Sequence, residues 1–174
     1  MSTVSLYQAL KGADNLLEVG VDDLKVLSPG SNKRAIGTQG LNGCSCVVIL
    51  GAAILLAHIA PLPGQYNQWT GGNLDVSEAS STHHTAFLRR ISLLVQQNAE
   101  HFPPSGTAWG VFSIGRDGSL ENVIQQVRTH LANMGYTMRP AFYQEINPRT
   151  AQPPKGELVA FQQGGVPKLY LERS

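Results

Sequence analysis

The stretch from Gly37 to Pro61, GTQGLNGCSCVVILGAAILLAHIAP, holds both cysteines of the chain, Cys44 and Cys46, and a histidine, His58, fourteen residues beyond the first. A thiol beside an imidazole can ionise to a thiolate–imidazolium pair, its pKa lowered from roughly 8.5 into a range of about 3.5–7.5. Such a thiolate attacks a carbonyl carbon, and the imidazolium then protonates the departing amine. The small neighbours Asn42, Gly43 and Ser45 carry backbone amides that can line an oxyanion site around Cys44. The competing reading is that two small thiols and an imidazole simply pack an apolar hairpin. Cys44 and Cys46 stand two apart, an awkward geometry for a disulfide, and C-x-C without a second Cys/His pair at ligand spacing gives little support for a metal.

Whether Cys44 and His58 meet depends on the elements that carry them. CVVIL and AILLAHI read as two β-strands about Gly51-Ala52, an antiparallel hairpin, with a helix as the competing assignment for apolar runs this short. Centred on Gly51, the hairpin sets Cys44 opposite His58 and Cys46 opposite Leu56, with opposed Cβ atoms roughly 4.5–5.5 Å apart. A slip of register changes which residues meet. Spacing alone does not decide between a reactive pair and packing.

Further elements must hold that hairpin. LEVGVDDLKVL, residues 17–27, predicts a strand ended by the turn SPGSN. A polar, glycine-containing loop of residues 65–81 follows the hairpin, long enough to suggest function, with Trp69 as a possible partner anchor. Phe87, Leu88, Ile91, Leu94 and Val95 recur at helical spacing in THHTAFLRRISLLVQQNAE. SLENVIQQVRTHLANMGY predicts a second helix, with Ser119 as its cap and Gly135 just past its end. Strands are predicted at TAWGVFSIG, 138–146, 157–163 and 166–172, the last two a hairpin about Gly164-Gly165. Residues 1–16 read as an N-terminal extension. The order implies one α+β domain over 1–174, with mostly antiparallel β-sheets, sandwich-like, flanked by two or three helices.

Composition narrows the function classes. Of 174 residues, 42% are hydrophobic and 14% charged, and the formal net charge is +1. With no basic run longer than a pair, the chain offers no electrostatic footprint for nucleic acid or an anionic membrane. The longest apolar run, Val47–Ala60, is too short to span a bilayer. The first residues lack the basic start and apolar core of a signal peptide, so a cytoplasmic, thiol-reducing setting is expected.

Three motifs in succession, VGVDDLKV (19–26), TQGLNGCSCVVIL (38–50) and LAHIAPLPG (56–64), resemble those of the CheD chemoreceptor glutamine deamidase family. There V-G-x-x-D-L-K-V precedes T-x-G-L-G-S-C and a hairpin leading to H-x-x-x-P. The resemblance runs on more weakly through SIGRDGSLENVIQQVRTHLANMGY and the terminal strands. It implies a fold shared with toxins of the cytotoxic necrotizing factor type, with Cys44 as nucleophile, His58 as general base and Thr38 as the hydroxyl that orients the imidazole. It also implies a protein substrate bearing a reactive glutamine, no cofactor and no metal. Departures lie in the surrounding loops: Asn42-Gly43 replaces Gly-Ser, AWGVFS replaces Gly-Gly-Ala, NPRTAQPPKGE replaces a Gly-Gly-Asn/Gly-Arg segment, and loop 65–81 is long. A chemoreceptor substrate is therefore not implied. The alternatives are a non-catalytic protein-binding module on the same fold, or a Cys–His amidase or peptidase acting on another amide.

The remaining candidates read as structural. His83 and His84 begin the first long helix, His101 ends it and His130 lies on the second, as surface or cap residues. Asp22 and Asp23, adjacent in a strand, point to opposite faces and form no carboxylate pair. Tyr143 and Gln144 lie on a predicted strand that could border the site, with nothing in the sequence to give either a role there.

Overall fold

A computed structural model describes residues 4–62, 76–114, 120–144 and 156–172. The elements are α1 (Leu6–Gly12), β1 (Leu16–Glu18), β2 (Asp23–Leu27), β3 (Ala35–Thr38), β4 (Ser45–Leu50), β5 (Ile54–Ile59), α2 (Val76–Gln97), β6 (Thr107–Ile114), α3 (Leu120–Asn133), β7 (Thr137–Gln144), β8 (Glu157–Gln163) and β9 (Val166–Glu172). The strands form a four-stranded sheet in the order β1-β3-β8-β9 and a five-stranded sheet in the order β2-β5-β4-β6-β7. Pairing is antiparallel except between β1 and β3 and between β6 and β7. Over the described residues this is an α+β fold with three helices and mixed sheets.

Two sheets stacked face to face need two apolar inner faces, and the period-2 alternation of the strands supplies them. Val48, Leu50, Ile54, Leu56 and Val111 of the five-stranded sheet meet Ile36, Leu158 and Ala160 of the other. The opposite face of the five-stranded sheet is also apolar, because α2 and α3 cover it. Phe87, Leu88, Ile91 and Val95 of α2 and Ile124, Val127 and Leu131 of α3 pack there on Val47, Ile49, Leu55 and Ala57. Strands apolar on both faces read as continuous runs rather than alternations, which is why VVIL and AILLA look as they do. On the outside of the four-stranded sheet, α1 sets Tyr7 against Leu16, Ala35 and Val159. Among the described residues the layers therefore run α1, sheet, sheet, α2 with α3.

Several expectations need correction. The predicted single strand over 17–27 is two strands in different sheets. Gly20 and Asp22, the latter left-handed at φ 56°, break it and carry the chain from one sheet to the other. Asp22 thus precedes a strand rather than sitting in one with Asp23. The N-terminal extension includes a helix, capped by the Ser5 side chain accepting from the Gln8 amide. Short β3, which carries Thr38, had no apolar run to announce it. Helix α2 begins at Val76, inside the predicted loop 65–81, so His83 and His84 lie within the helix rather than at its start. The rest of that loop with Trp69, the cap Ser119 and the strand end at 145–146 lie outside the described residues. No described helix is long and apolar enough to cross a membrane.

Candidate functional site

The β4–β5 hairpin is centred on Ala52, not Gly51. Cys46 is therefore the residue opposite His58, and Val48 the one opposite Leu56. The reason lies at the turn: Gly51 N–H bonds the Ala53 carbonyl and Ala52 N–H bonds the His101 carbonyl, which places the reversal one residue later. A shift of two keeps every side chain on its face. Cys44, just before β4, still belongs to the inner face with Cys46, but stands beyond the level of His58 toward the hairpin's open end.

His58 is fully buried and held at one nitrogen. Thr38, reaching in from β3 of the opposing sheet, sets its Oγ1 2.7 Å from His58 Nδ1 and 2.6 Å from the Val19 carbonyl. A carbonyl only accepts, so the Thr38 hydroxyl proton goes to Val19 and its oxygen accepts from Nδ1–H. That relay assigns the tautomer: Nδ1 carries the proton and Nε2 presents a lone pair. Nε2 is buried and has no hydrogen-bond partner among the described residues. The sulfur of Cys44 is accordingly not hydrogen-bonded to it in this state.

Burial also decides the charges. Removal from water holds the His58 pKa down to about 4, against an opposing pull from the Asp22 carboxylate. The Cys44 thiol is pushed up, first by burial and further by Asp22, with a backbone hydrogen bond from Asn42 working the other way. Burial therefore favours the neutral thiol and the neutral imidazole over a thiolate–imidazolium pair. Cys46, with no exposed surface, is pushed up much further by burial and by its neighbour Cys44.

The loop before Cys44 is pinned. Leu41 is fully buried, its N–H bonds the Gly156 carbonyl at 3.1 Å, and a Cβ on Gly156 would stand 2.4 Å from the Leu41 carbonyl. Only glycine allows that approach at φ 78°. Gly43, at φ 81°, then turns the chain into β4. Of the three candidate oxyanion residues, Asn42 is exposed, Gly43 half-buried and Ser45 buried. Ser45 alternates with Cys44 and Cys46, so its side chain lies on the helix face and only its amide belongs to the site. Tyr143 of β7 donates its hydroxyl to the Cys44 carbonyl at 2.6 Å.

Two features of this region carried no local signal. Asp22 N–H bonds the His58 carbonyl at 2.7 Å, and Asp22 Oδ1 accepts from Ala60 N–H at 2.9 Å and stands 2.8 Å from His83 Nε2. His83 is thus tied to an acid sixty-one residues away rather than being a surface residue. His84 is buried, with Nδ1 2.8 Å from the Ser80 carbonyl, and desolvation pushes its pKa down. His130 is also no simple surface group, standing 2.7 Å from Ser92 Oγ. His101 lies past the end of α2 beside Glu100. Comparison with protein-family models and with curated proteins finds no match to this chain.

Proposed function

We propose that the chain is a cysteine hydrolase that deamidates glutamine side chains of a protein, as its resemblance to the CheD family implies. The observation that carries this reading is the Val19–Thr38–His58 relay. A buried imidazole whose Nδ1–H is engaged and whose Nε2 lone pair has no partner among the described residues can act as a general base. A thiol, that of Cys44, stands on the same face, toward the open end of the hairpin.

The reaction then runs through neutral groups. As Cys44 attacks the glutamine carboxamide carbon, its proton passes to His58 Nε2, and the Asn42, Gly43 and Ser45 amides lie around the developing oxyanion. The imidazolium gives that proton to the departing nitrogen, ammonia leaves and a thioester remains. His58 next takes a proton from water, whose oxygen attacks the thioester. The product is glutamate, and the proton returns to the sulfur. Thr38 is uncharged, so it fixes the ring without matching the stabilisation a carboxylate gives the imidazolium. Asp22 is the nearby negative charge that favours the cation.

The rival reading, a non-catalytic binding module, draws on one observation: His58 Nε2 has no hydrogen-bond partner among the described residues, so the Cys44 thiol is not bonded to it. Incubating a lysate with the protein or with Cys44→Ser, then searching by mass spectrometry for glutamines converted to glutamate, separates the two. Conversion only with the unaltered protein supports the hydrolase. Equal conversion with both, or none in any proteome tried, favours the module.

A further inference from the structure

We propose that Tyr143 is a positioning residue for the Cys44 nucleophile, an inference that rests on the hydrolase reading of the site. The ladder between β4 and β6 runs from Leu50 opposite Thr107 to Cys46 opposite Val111 and ends there. Continued by two residues it would set Cys44 opposite Ser113. Instead the chain leaves the sheet at Gly43, and the Cys44 carbonyl accepts from the Tyr143 hydroxyl at 2.6 Å. Tyr143 belongs to β7, where it pairs with Ser113, so its ring spans the intervening strand along the inner face. Both residues are buried, and the bond joins positions ninety-nine apart in the chain.

A buried carbonyl left without a partner is costly, so a bond here is needed in any structure. The form it takes is what matters for chemistry. The Cys44 carbonyl and the Ser45 amide belong to one planar peptide unit and point to opposite sides of the chain. Fixing the carbonyl therefore fixes the amide that lines the candidate oxyanion site, and sets the direction in which the Cys44 side chain leaves the backbone. The tyrosine is held by a rigid ring in a packed layer, a firmer reference than a water would be. Leu41 on Gly156 pins the loop from one side, and Tyr143 pins the cysteine from the other.

Tyr143→Phe removes one oxygen and keeps the ring. The measurement is the rate of iodoacetamide labelling of each cysteine, read by mass spectrometry across pH, with Cys46 reporting on the global fold. If Tyr143 positions Cys44, losing the hydroxyl frees the loop. Cys44 is then labelled about tenfold or more faster, with its apparent pKa moved down toward that of a free thiol, while Cys46 stays protected. On a substrate protein found as above, kcat falls about tenfold or more with KM little changed. Tyr143→Trp, which offers a donor at a different place, does not restore the rate. Unchanged Cys44 labelling and kcat overturn the inference, and so does simultaneous labelling of both thiols, which marks a merely structural role. Labelling needs no substrate, so a shift at Cys44 in a protein that deamidates nothing would tell against the hydrolase reading and not against the anchor.

Discussion

The β4–β5 hairpin has two faces with opposite tasks. On the helix face Val47, Ile49, Leu55, Ala57 and Ile59 are apolar and fully buried against α2 and α3. On the inner face Cys46 and His58 are buried just as completely, with Thr38 brought up from the opposing sheet. Burial on the first side is stabilising throughout, at about 25 cal/mol per Å² of apolar surface. On the second it includes a titratable ring whose protonated form burial disfavours and whose Nε2 has no hydrogen-bond partner among the described residues. The same alternation thus makes one layer an apolar core and lets the other bury the imidazole and thiol on which the proposed chemistry depends.

Breaking each face in turn should separate rate from stability. His58→Ala should lower deamidation by about three orders of magnitude or more in turnover assays, while the protein still unfolds cooperatively. Leu55→Ala on the opposite face should cost about 2–5 kcal/mol in denaturant unfolding with the rate per folded molecule unchanged. If the two substitutions have like effects, the division of labour between faces is wrong.

The next contrast is in pH. Folding holds His58 at about 4 against an ordinary 6.5, so the folded state binds its proton more weakly than the unfolded chain. That contribution, about 3 kcal/mol, is fully present above pH 6.5 and is lost as pH falls through about 4. Denaturant unfolding followed from pH 7 to pH 4 should show the decline, and His58→Gln should reduce it, leaving the part contributed by His84 and His130, whose pKa values burial also lowers.

Smaller effects sharpen the comparison. Thr38→Val keeps the volume but cannot accept from Nδ1–H, so turnover should fall about tenfold without vanishing. On the outer part of the four-stranded sheet, Glu157 sits opposite Glu172, whose pKa is raised by its hydrogen bond to Glu157. The sign there is reversed: that carboxyl favours the folded state at low pH and loses the benefit as pH rises through its raised value. Glu172→Gln should therefore remove a small decline in stability at rising pH and leave the His58 transition in place.

How much of this was legible in the sequence follows from where each signal sits. The helix over 84–97, that over 120–133 and the hairpin about Gly164-Gly165 announce themselves through local periodicity and turn chemistry. The β4–β5 hairpin was legible, but not its register, because long apolar runs buried on both faces carry no alternation to set it. The reversal is decided by a carbonyl of His101, more than forty residues away. Of the candidate site, Cys44 and His58 stand out by residue type within one hairpin, whereas Thr38 is reached only through the family resemblance. The neutrality of the pair is not legible there, since it arises from desolvation between two sheets. Asp22 with His83, and Tyr143 with Cys44, are pairings only the folded chain creates.

Register leaves one rivalry at the centre of the site, because the residue directly opposite His58 is Cys46 and the nucleophile is assigned to Cys44. The assignment rests on access: Cys46 has no exposed surface and the more strongly disfavoured thiolate. The direct test is to assay Cys44→Ser and Cys46→Ser side by side on one substrate protein, counting glutamines converted to glutamate. Cys44→Ser is expected to be silent and Cys46→Ser to retain most of the activity. A silent Cys46→Ser with an active Cys44→Ser would contradict the assignment.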